Sequence, residues 1–524
     1  GIPGVDDNLA GPRGLEGERG EKGPEGTTGL KGTPGDHGPL GHRGIKGAKG
    51  GAALSPCQLI AYIREHSPCY EGTPECPVYL TELVFALDVS QDTTLSLFQH
   101  MKKIVIETVN GIKIRESNCP VGARVALVSY SSDTHYLIRF SDFRSKSRLL
   151  RAVNALSYPR STSRRDLGGS MRFVARNVFK RTLQGDNVRK VAVFFSNGPS
   201  VDPVSINTAI LEFSALDIVP AVIVFNNIMD INQSFAVDDS GQFQVIAFPS
   251  EGDYTPFLQR LRMCTLCYDK CKPDVACAKR TSPREAYMDA VFILDTSRKM
   301  NPRDCEKIKG LLNDVLDHFD ISSEPATSSV GDRVALVSHA PPAFQPRLQK
   351  LPVKKEFDLV TYRETEVMKK HIQESVQQLG GLSAIGHAIQ WTINNIFSKA
   401  PSPRRHKILT VISAGETSPW DKELLKKVSL RAKCQGYVLL VLSLGPTYDH
   451  TELEDLASRP LEQHLIQLGR IHKPDLKYAQ MFLKAFLRLL RNKINDYPPA
   501  ELKAKCDKIM NQKTRYVSRS LSLV

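Results

Sequence analysis

Two patterns in this 524-residue chain set the expected architecture, a triple-helical segment followed by two α/β domains, each a mainly parallel sheet with helices on both faces. The first pattern is glycine at every third position from Gly11 to Gly50, fourteen times without a miss. Only glycine fits at the crowded axis of a collagen-type triple helix, and a strict Gly-X-Y period has little other physical explanation. The second pattern is a long internal repeat. An apolar run ending in an acid, Glu82 to Asp88, returns as Met288 to Asp295. Continuous apolar runs of this length, bounded by polar turns, are characteristic of buried parallel strands.

Residues 1–51 form the Gly-X-Y segment, interrupted at 5–10, so that Gly11 is one residue out of register with Gly4. The unbroken run spans roughly 120 Å at the polyproline II rise and buries nothing alone, so it requires two further chains. Within the run only Pro34 occupies the Y position, where hydroxyproline occurs. Lys22, Lys31, Lys46 and Lys49 each precede a glycine and are expected sites of hydroxylation and glycosylation if the segment follows collagens. The hexamer Gly14 to Arg19 is similar to the Gly-Glu-Arg motifs of collagens that bind integrins, although a chance charged triplet is the simpler reading.

Residues 52–80 form a spacer holding Cys57, Cys69 and Cys76. Its prolines preclude one long helix, though 58–65 can be helical. Cysteines just past a triple helix are placed to join chains, and Cys57 or Cys69 is expected to do so. Two repeats follow, at 81–263 and 287–495. Gly122 to Ser129 is echoed by Gly331 to Ser338, Val191 to Ser196 by Ile408 to Ser413, and Ile218 to Phe225 by Tyr437 to Leu444. Amphipathic helices alternate with these strands, as in Asp202 to Leu216, where Asp202 is the expected N-cap and Pro203 the first helical residue.

Between the repeats, 264–286 is a cysteine-rich linker with Cys264, Cys267, Cys271 and Cys277. Their spacing fits a zinc ribbon poorly, and disulfides are the favoured reading. Cys76 with Cys264 or Cys267 would close the first domain, and Cys277 with Cys506 the second. Sequence alone does not pair the remaining cysteines. Asn232-Gln-Ser234 is an N-glycosylation acceptor, expected in a polar loop. Arg404 to Lys407 is a basic cluster that could touch heparan sulfate, with a solvated loop as the alternative. Residues 496–524 are a basic tail, expected to be poorly ordered beyond Cys506.

The net charge of +14 suits acidic partners, sulfated polysaccharides among them, but no compact basic helix with interleaved aromatics points to nucleic acid. Eleven cysteines beside a Gly-X-Y segment indicate an oxidising, extracellular setting. No run of about 18 apolar residues is present, so no membrane insertion is expected. The chain starts inside Gly-X-Y sequence, and a fragment or processed piece is expected. Gly-x-Ser-x-Gly, His-Glu-x-x-His and phosphate-loop motifs are missing, which argues against an enzyme.

At Asp88-Val89-Ser90 the likeness becomes specific. Both domains resemble von Willebrand factor type A domains of Rossmann-like fold. With the preceding segment, the chain resembles the C-terminal region of collagen type VI alpha chains of the alpha-4, alpha-5 and alpha-6 group. The resemblance implies a secreted extracellular-matrix chain that forms heterotrimers with type VI alpha-1 and alpha-2 chains and adheres through its A domains. The competing reading is a soluble or metal-dependent adhesive module. The resemblance further implies a metal site with the pattern Asp-x-Ser-x-Ser, a threonine from a second loop and a late aspartate. In the first domain Asp88 and Ser90 match and Asp92 replaces serine. Thr162 is displaced, Arg164 and Arg165 stand near the threonine position, and the late aspartate is Asn197. In the second domain Asp295 and Ser297 match, Lys299 takes the third position, Ser383 could replace threonine, and the late aspartate is Ala414. A lysine ammonium cannot ligate a cation, so the second domain is expected to be metal-free. The arginines make Mg²⁺ in the first an exception rather than the expectation.

Overall fold

The structure is a computed structural model that describes residues 55–66 and, short gaps aside, 76–509. The Gly-X-Y segment, with Pro34, Lys22, Lys31, Lys46 and Lys49, lies outside the described residues, as do Cys69 and Cys119. Helix α1 (Pro56–His66) covers the short helical stretch expected in the spacer.

The first domain runs β1 (Thr81–Asp88), α2 (Leu95–Asn110), β2 (Ala123–Tyr130), β3 (Thr134–Ile138), α3 (Lys146–Asn154), α4 (Leu167–Phe173), β4 (Arg189–Ser196), α5 (Pro203–Ala215), β5 (Ile218–Val224), α6 (Met229–Phe235), β6 (Gln244–Ala247) and α7 (Thr255–Leu261). The second repeats the plan with β7 (Met288–Asp295), α8 (Pro302–Leu316), β8 (Arg333–His339), β9 (Lys354–Phe357), α9 (Thr365–Ser375), α10 (Ile385–Thr392), β10 (His406–Ser413), α11 (Lys422–Cys434), β11 (Tyr437–Ser443), α12 (His450–Leu456), α13 (Leu461–His464), β12 (Leu465–Gln467) and α14 (Leu476–Arg491). The sheets have the orders β3-β2-β1-β4-β5-β6 and β9-β8-β7-β10-β11-β12. All pairings are parallel except those of the edge strands β3 and β9. Every residue of β1 and of β7 is buried, as both faces of each sheet are covered.

An ion pair at the same register position anchors each sheet. Glu82 pairs with Arg124 across β1 and β2, and Asp289 pairs with Arg333 across β7 and β8. The Asp289–Arg333 pair is bidentate, at 2.7 and 2.9 Å, and fully buried. Arg333 also donates to the carbonyls of Pro325 and Pro401, which satisfies its remaining fork. Arg404, from the basic cluster, is buried as well. It donates to the carbonyls of Gly331, Ser328 and Ser402, so it belongs to the loop scaffold and not to an exposed polyanion patch.

The two domains cluster as one unit, and α14 is the reason. This last helix of the second domain packs on α8 of its own domain and on α5 of the first. Its buried stripe is Phe482, Leu483, Phe486, Leu487, Leu489 and Leu490. Helix α5 is apolar nearly all round, with Ile206, Ala209, Ile210, Leu211 and Phe213 buried, as a helix covered on both sides must be. Each fully buried Leu or Phe contributes roughly 1.5–3 kcal/mol, so this seam resembles a domain core. Polar contacts border it. Gln463 donates to the Val204 carbonyl at 3.3 Å and the Thr208 hydroxyl at 3.0 Å, and Asn492 donates to the Ala236 carbonyl at 3.3 Å.

Cysteine pairing departs from one expectation. Cys76 bonds Cys267 and ties the ends of the first domain. Cys277, however, bonds Cys264, not Cys506, and Cys506 bonds Cys434 at the end of α11. The reason is local: the linker folds back at a turn over Val275–Cys277 that buries Cys277 beside Cys264 and Tyr268, out of reach of the C-terminal segment. Cys57 and Cys271 are also disulfide-bonded, and Cys305 is a buried thiol in α8. Packing continues past both expected domain ends. The Leu266 carbonyl accepts from Arg189, the Tyr497 hydroxyl meets His464 at 2.7 Å, and residues 500–509 are helical.

Candidate functional site

The C-terminal ends of the central strands form the site in both domains. In the first, Asp88 ends β1. Its Oδ1 accepts the Ser90 backbone N–H at 3.0 Å, which fixes the turn into α2. Its Oδ2 accepts the Asn197 backbone N–H at 3.0 Å and Nε of Arg165 at 2.5 Å. Arg165 lies two residues before α4, and its side chain is 2% exposed. A second guanidinium nitrogen donates to the Ser90 hydroxyl at 2.9 Å, and the third donates to the Pro199 carbonyl at 3.2 Å and lies 3.9 Å from Asp92. The guanidinium thus gathers the three residues Asp88, Ser90 and Asp92. It also needs Gly198, because a Cβ there would stand 2.7 Å from its Nη1. Thr162 and Arg164 are exposed, and Asn197 turns its side chain to the Asp92 carbonyl at 3.2 Å.

In the second domain Asp295 ends β7. It accepts the backbone N–H groups of Ser297 at 3.0 Å and Ala414 at 2.9 Å. Ser383 stands two residues before α10, the place Arg165 takes before α4. Its hydroxyl is buried and has no hydrogen-bond partner among the described residues. Lys299 reaches across Gly415, where a Cβ would lie 3.1 Å from its Cδ, and donates to the Glu416 carbonyl at 2.7 Å. The cation therefore comes from opposite sides of the site in the two copies, from the helix-entry loop in the first and from the loop after the first strand in the second. Beneath it, buried His339 accepts the Ala384 N–H at 3.1 Å, and burial pushes its pKa down. Nearby, Glu416, Asp449 and Glu452 converge, with Lys422 at 3.2, 3.1 and 3.8 Å supplying the counter-charge.

The von Willebrand factor type A domain model matches residues 82–251 and 289–475. The chain belongs to the von Willebrand factor type A domain family. The relatives extend the likeness beyond the A domains. The collagen alpha-6(VI) chain of Homo sapiens is 55% identical over 461 residues, 88% of this chain and 20% of that protein. The collagen alpha-5(VI) chain of Homo sapiens is 50% identical over 458 residues, 87% of this chain and 17% of that protein. Matrilin-1 of Gallus gallus is 21% identical over 425 residues, 74% of this chain and 80% of that protein. The chain thus spans about a fifth of the length of the collagen VI relatives it matches.

The metal position implied for A domains fits the residues of neither copy. In the first, a divalent cation at Asp88 and Ser90 would have to displace a buried guanidinium already bonded to both. Hard cations need several oxygen ligands, and the guanidinium has taken the ones at hand. In the second A domain, Lys299 brings an ammonium to the third ligand position and Ala414 offers no carboxylate.

One further candidate sits differently from expectation. Asn232 is exposed but lies in α6, not in a polar loop, and the Ser234 hydroxyl is buried and donates to Asn207 at 2.5 Å. The sequence pattern could not show this, since a sequon reads the same in a loop or a helix. Arg298 was not singled out from sequence, although its adjacency to Lys299 made an exposed basic pair visible.

Proposed function

We propose that this chain is a secreted structural component of the extracellular matrix whose two A domains form one rigid docking unit that works without a divalent cation. The observation that carries the reading is Arg165, a protein cation held by Asp88 and Ser90 where the family's pattern would set a metal. The likeness to collagen VI alpha chains over 88% of the chain supports the matrix role. The Gly-X-Y run supports assembly through a triple helix, with type VI alpha-1 and alpha-2 chains as its partners and Cys69 as a candidate interchain link. No catalytic role is proposed.

Co-expression with type VI alpha-1 and alpha-2 chains in secreting cells tests the assembly. The expected product in the medium is a pepsin-resistant, disulfide-linked heterotrimer. A chain that is retained, or secreted as a free monomer, overturns the trimer and favours a soluble A-domain module. Calorimetric titration of the chain with Mg²⁺ tests ion independence, and millimolar or tighter binding overturns it.

A further inference from the structure

Lys299, which does not fit a metal in the second A domain, stands instead at the mouth of an open cleft. A cleft of about 260 Å³ opens at the end of the second sheet, between the loop after β7, the loop before α10 and the loop after β10. Arg298 and Lys299 stand on one side, and Ser383 and Thr417 form the other. Both basic side chains are exposed, and neither has a carboxylate within ion-pair distance among the described residues. The Lys299 ammonium makes a single hydrogen bond, to a carbonyl. Lys422 and Glu416 also face the cleft, but Lys422 is neutralised by Glu416, Asp449 and Glu452. Two uncompensated positive charges remain, beside the buried, unpartnered Ser383 hydroxyl.

A buried hydroxyl without a partner is costly unless a ligand completes it. An anion seated between Arg298 and Lys299 would meet two charge-assisted donors and leave the Ser383 O–H free to donate to it. The surroundings indicate the kind of anion. Leu382, 42% exposed, lines the cleft, and Trp420, which follows the lining residue Pro419 in the chain, is 43% exposed and set against His387 and Phe344 at ring-centroid distances of 5.6 and 6.3 Å. Exposed tryptophan and arginine are residue types enriched among protein-binding anchors. A polyanionic glycan would call for a longer basic track, and Glu416 at the edge opposes dense negative charge.

We propose that this cleft binds an aspartate or glutamate side chain of an acidic, apolar-flanked protein segment directly, with Arg298 and Lys299 as the cations and no metal ion. The proposal deepens the ion-independent docking proposed above. In the first A domain the guanidinium is spent inside the site. In the second the cations stay at the surface, available to a partner.

The test uses the full chain and a fluorescein-labelled Leu-Glu-Glu-Leu-Glu-Glu peptide, followed by anisotropy in EDTA. Saturable binding is expected. The double variant R298A/K299A should weaken it at least tenfold, the Gln-for-Glu peptide should bind as poorly, and W420A should weaken it several-fold. Both basic residues are exposed, so a thermal melt of the double variant matching the parent confirms that it folds. S383V provides a second, uncharged perturbation and should also weaken binding. Binding unchanged in R298A/K299A overturns this proposal and leaves ion-independent docking standing. Binding that appears only with Mg²⁺ overturns both. Binding of a heparin oligosaccharide but not of the peptide overturns the protein partner.

Discussion

The ends of the two sheets started from one design and now differ in where they keep their positive charge. In the first domain Arg165 enters from the loop before α4 and is buried against Asp88, closing the site on itself. In the second, the matching position before α10 is Ser383, the cations are Arg298 and Lys299 on the facing loop, and a cleft remains. The lesson is that a site whose residues do not fit a metal can be completed in more than one way. A long cation from inside gives a filled, load-supporting core, whereas a cation from the rim gives an open surface.

Breaking each site separately should expose that difference. Asp88→Ala leaves a buried guanidinium without its carboxylate, and removing one partner of a buried pair costs roughly 3–5 kcal/mol. Asp295→Ala removes only an acceptor for two backbone N–H groups, worth about 1–3 kcal/mol. Urea unfolding followed by circular dichroism should rank Asp88→Ala as the more damaging, and hydrogen exchange should localise the losses to β1 and β7. Equal losses would mean that Arg165 is not the keystone of the first site.

Acid should act first on the second domain. His464 is buried, with its ring edge-on to Phe486 of α14, and burial pushes its pKa down to about 4. His318 is likewise pushed down to about 4 by burial and by Lys484 and Arg488 of α14. The unfolded chain binds these protons near pH 6.5, before the folded one does, so stability falls as pH drops from 6.5 towards 4. His464 alone should account for a loss of about 2–3 kcal/mol over that window. Urea midpoints at pH 7, 5.5 and 4.5 check the slope, and His464→Gln should flatten it.

A gain of function sharpens the comparison further. Arg165→Thr frees Asp88, Ser90 and Asp92 and should confer Mg²⁺-dependent stabilisation of about 1.4 kcal/mol at ten times the dissociation constant, read as a rise in melting temperature. The parent chain should show none. Asn232→Gln is the smallest change. It should alter stability by less than about 0.5 kcal/mol, and a faster-migrating secreted band would reveal a glycan.

The strands of both domains were legible because a strand buried on both faces must be apolar throughout, and Leu83 to Leu87 and Ala290 to Leu294 have no other use for such a run. The helix α5 was legible from its cap, since Asp202 accepts the Val204 N–H as its position before Pro203 implied. The site was half legible. Arg165 stood out as a cation at a ligand position, but whether it points in or out depends on Gly198, which sequence alone does not connect to it. The Cys434–Cys506 bond was not legible, because its ends are 72 residues apart and only the packing of α11 brings them together. Nor was the interdomain seam, since the apolar stripe of α14 looks the same whether it covers one domain or two.

The bond between Cys76 and Cys267 spans 191 residues and joins the point where the chain enters the first domain to the point where it leaves. Tension arriving from the N-terminal side at Cys76 can cross to Cys267 through one covalent link and pass on towards the second domain. The sheet between them lies off the line of force, as a hoop hung on a rope rather than a section of it, and keeps its shape while the rope is taut.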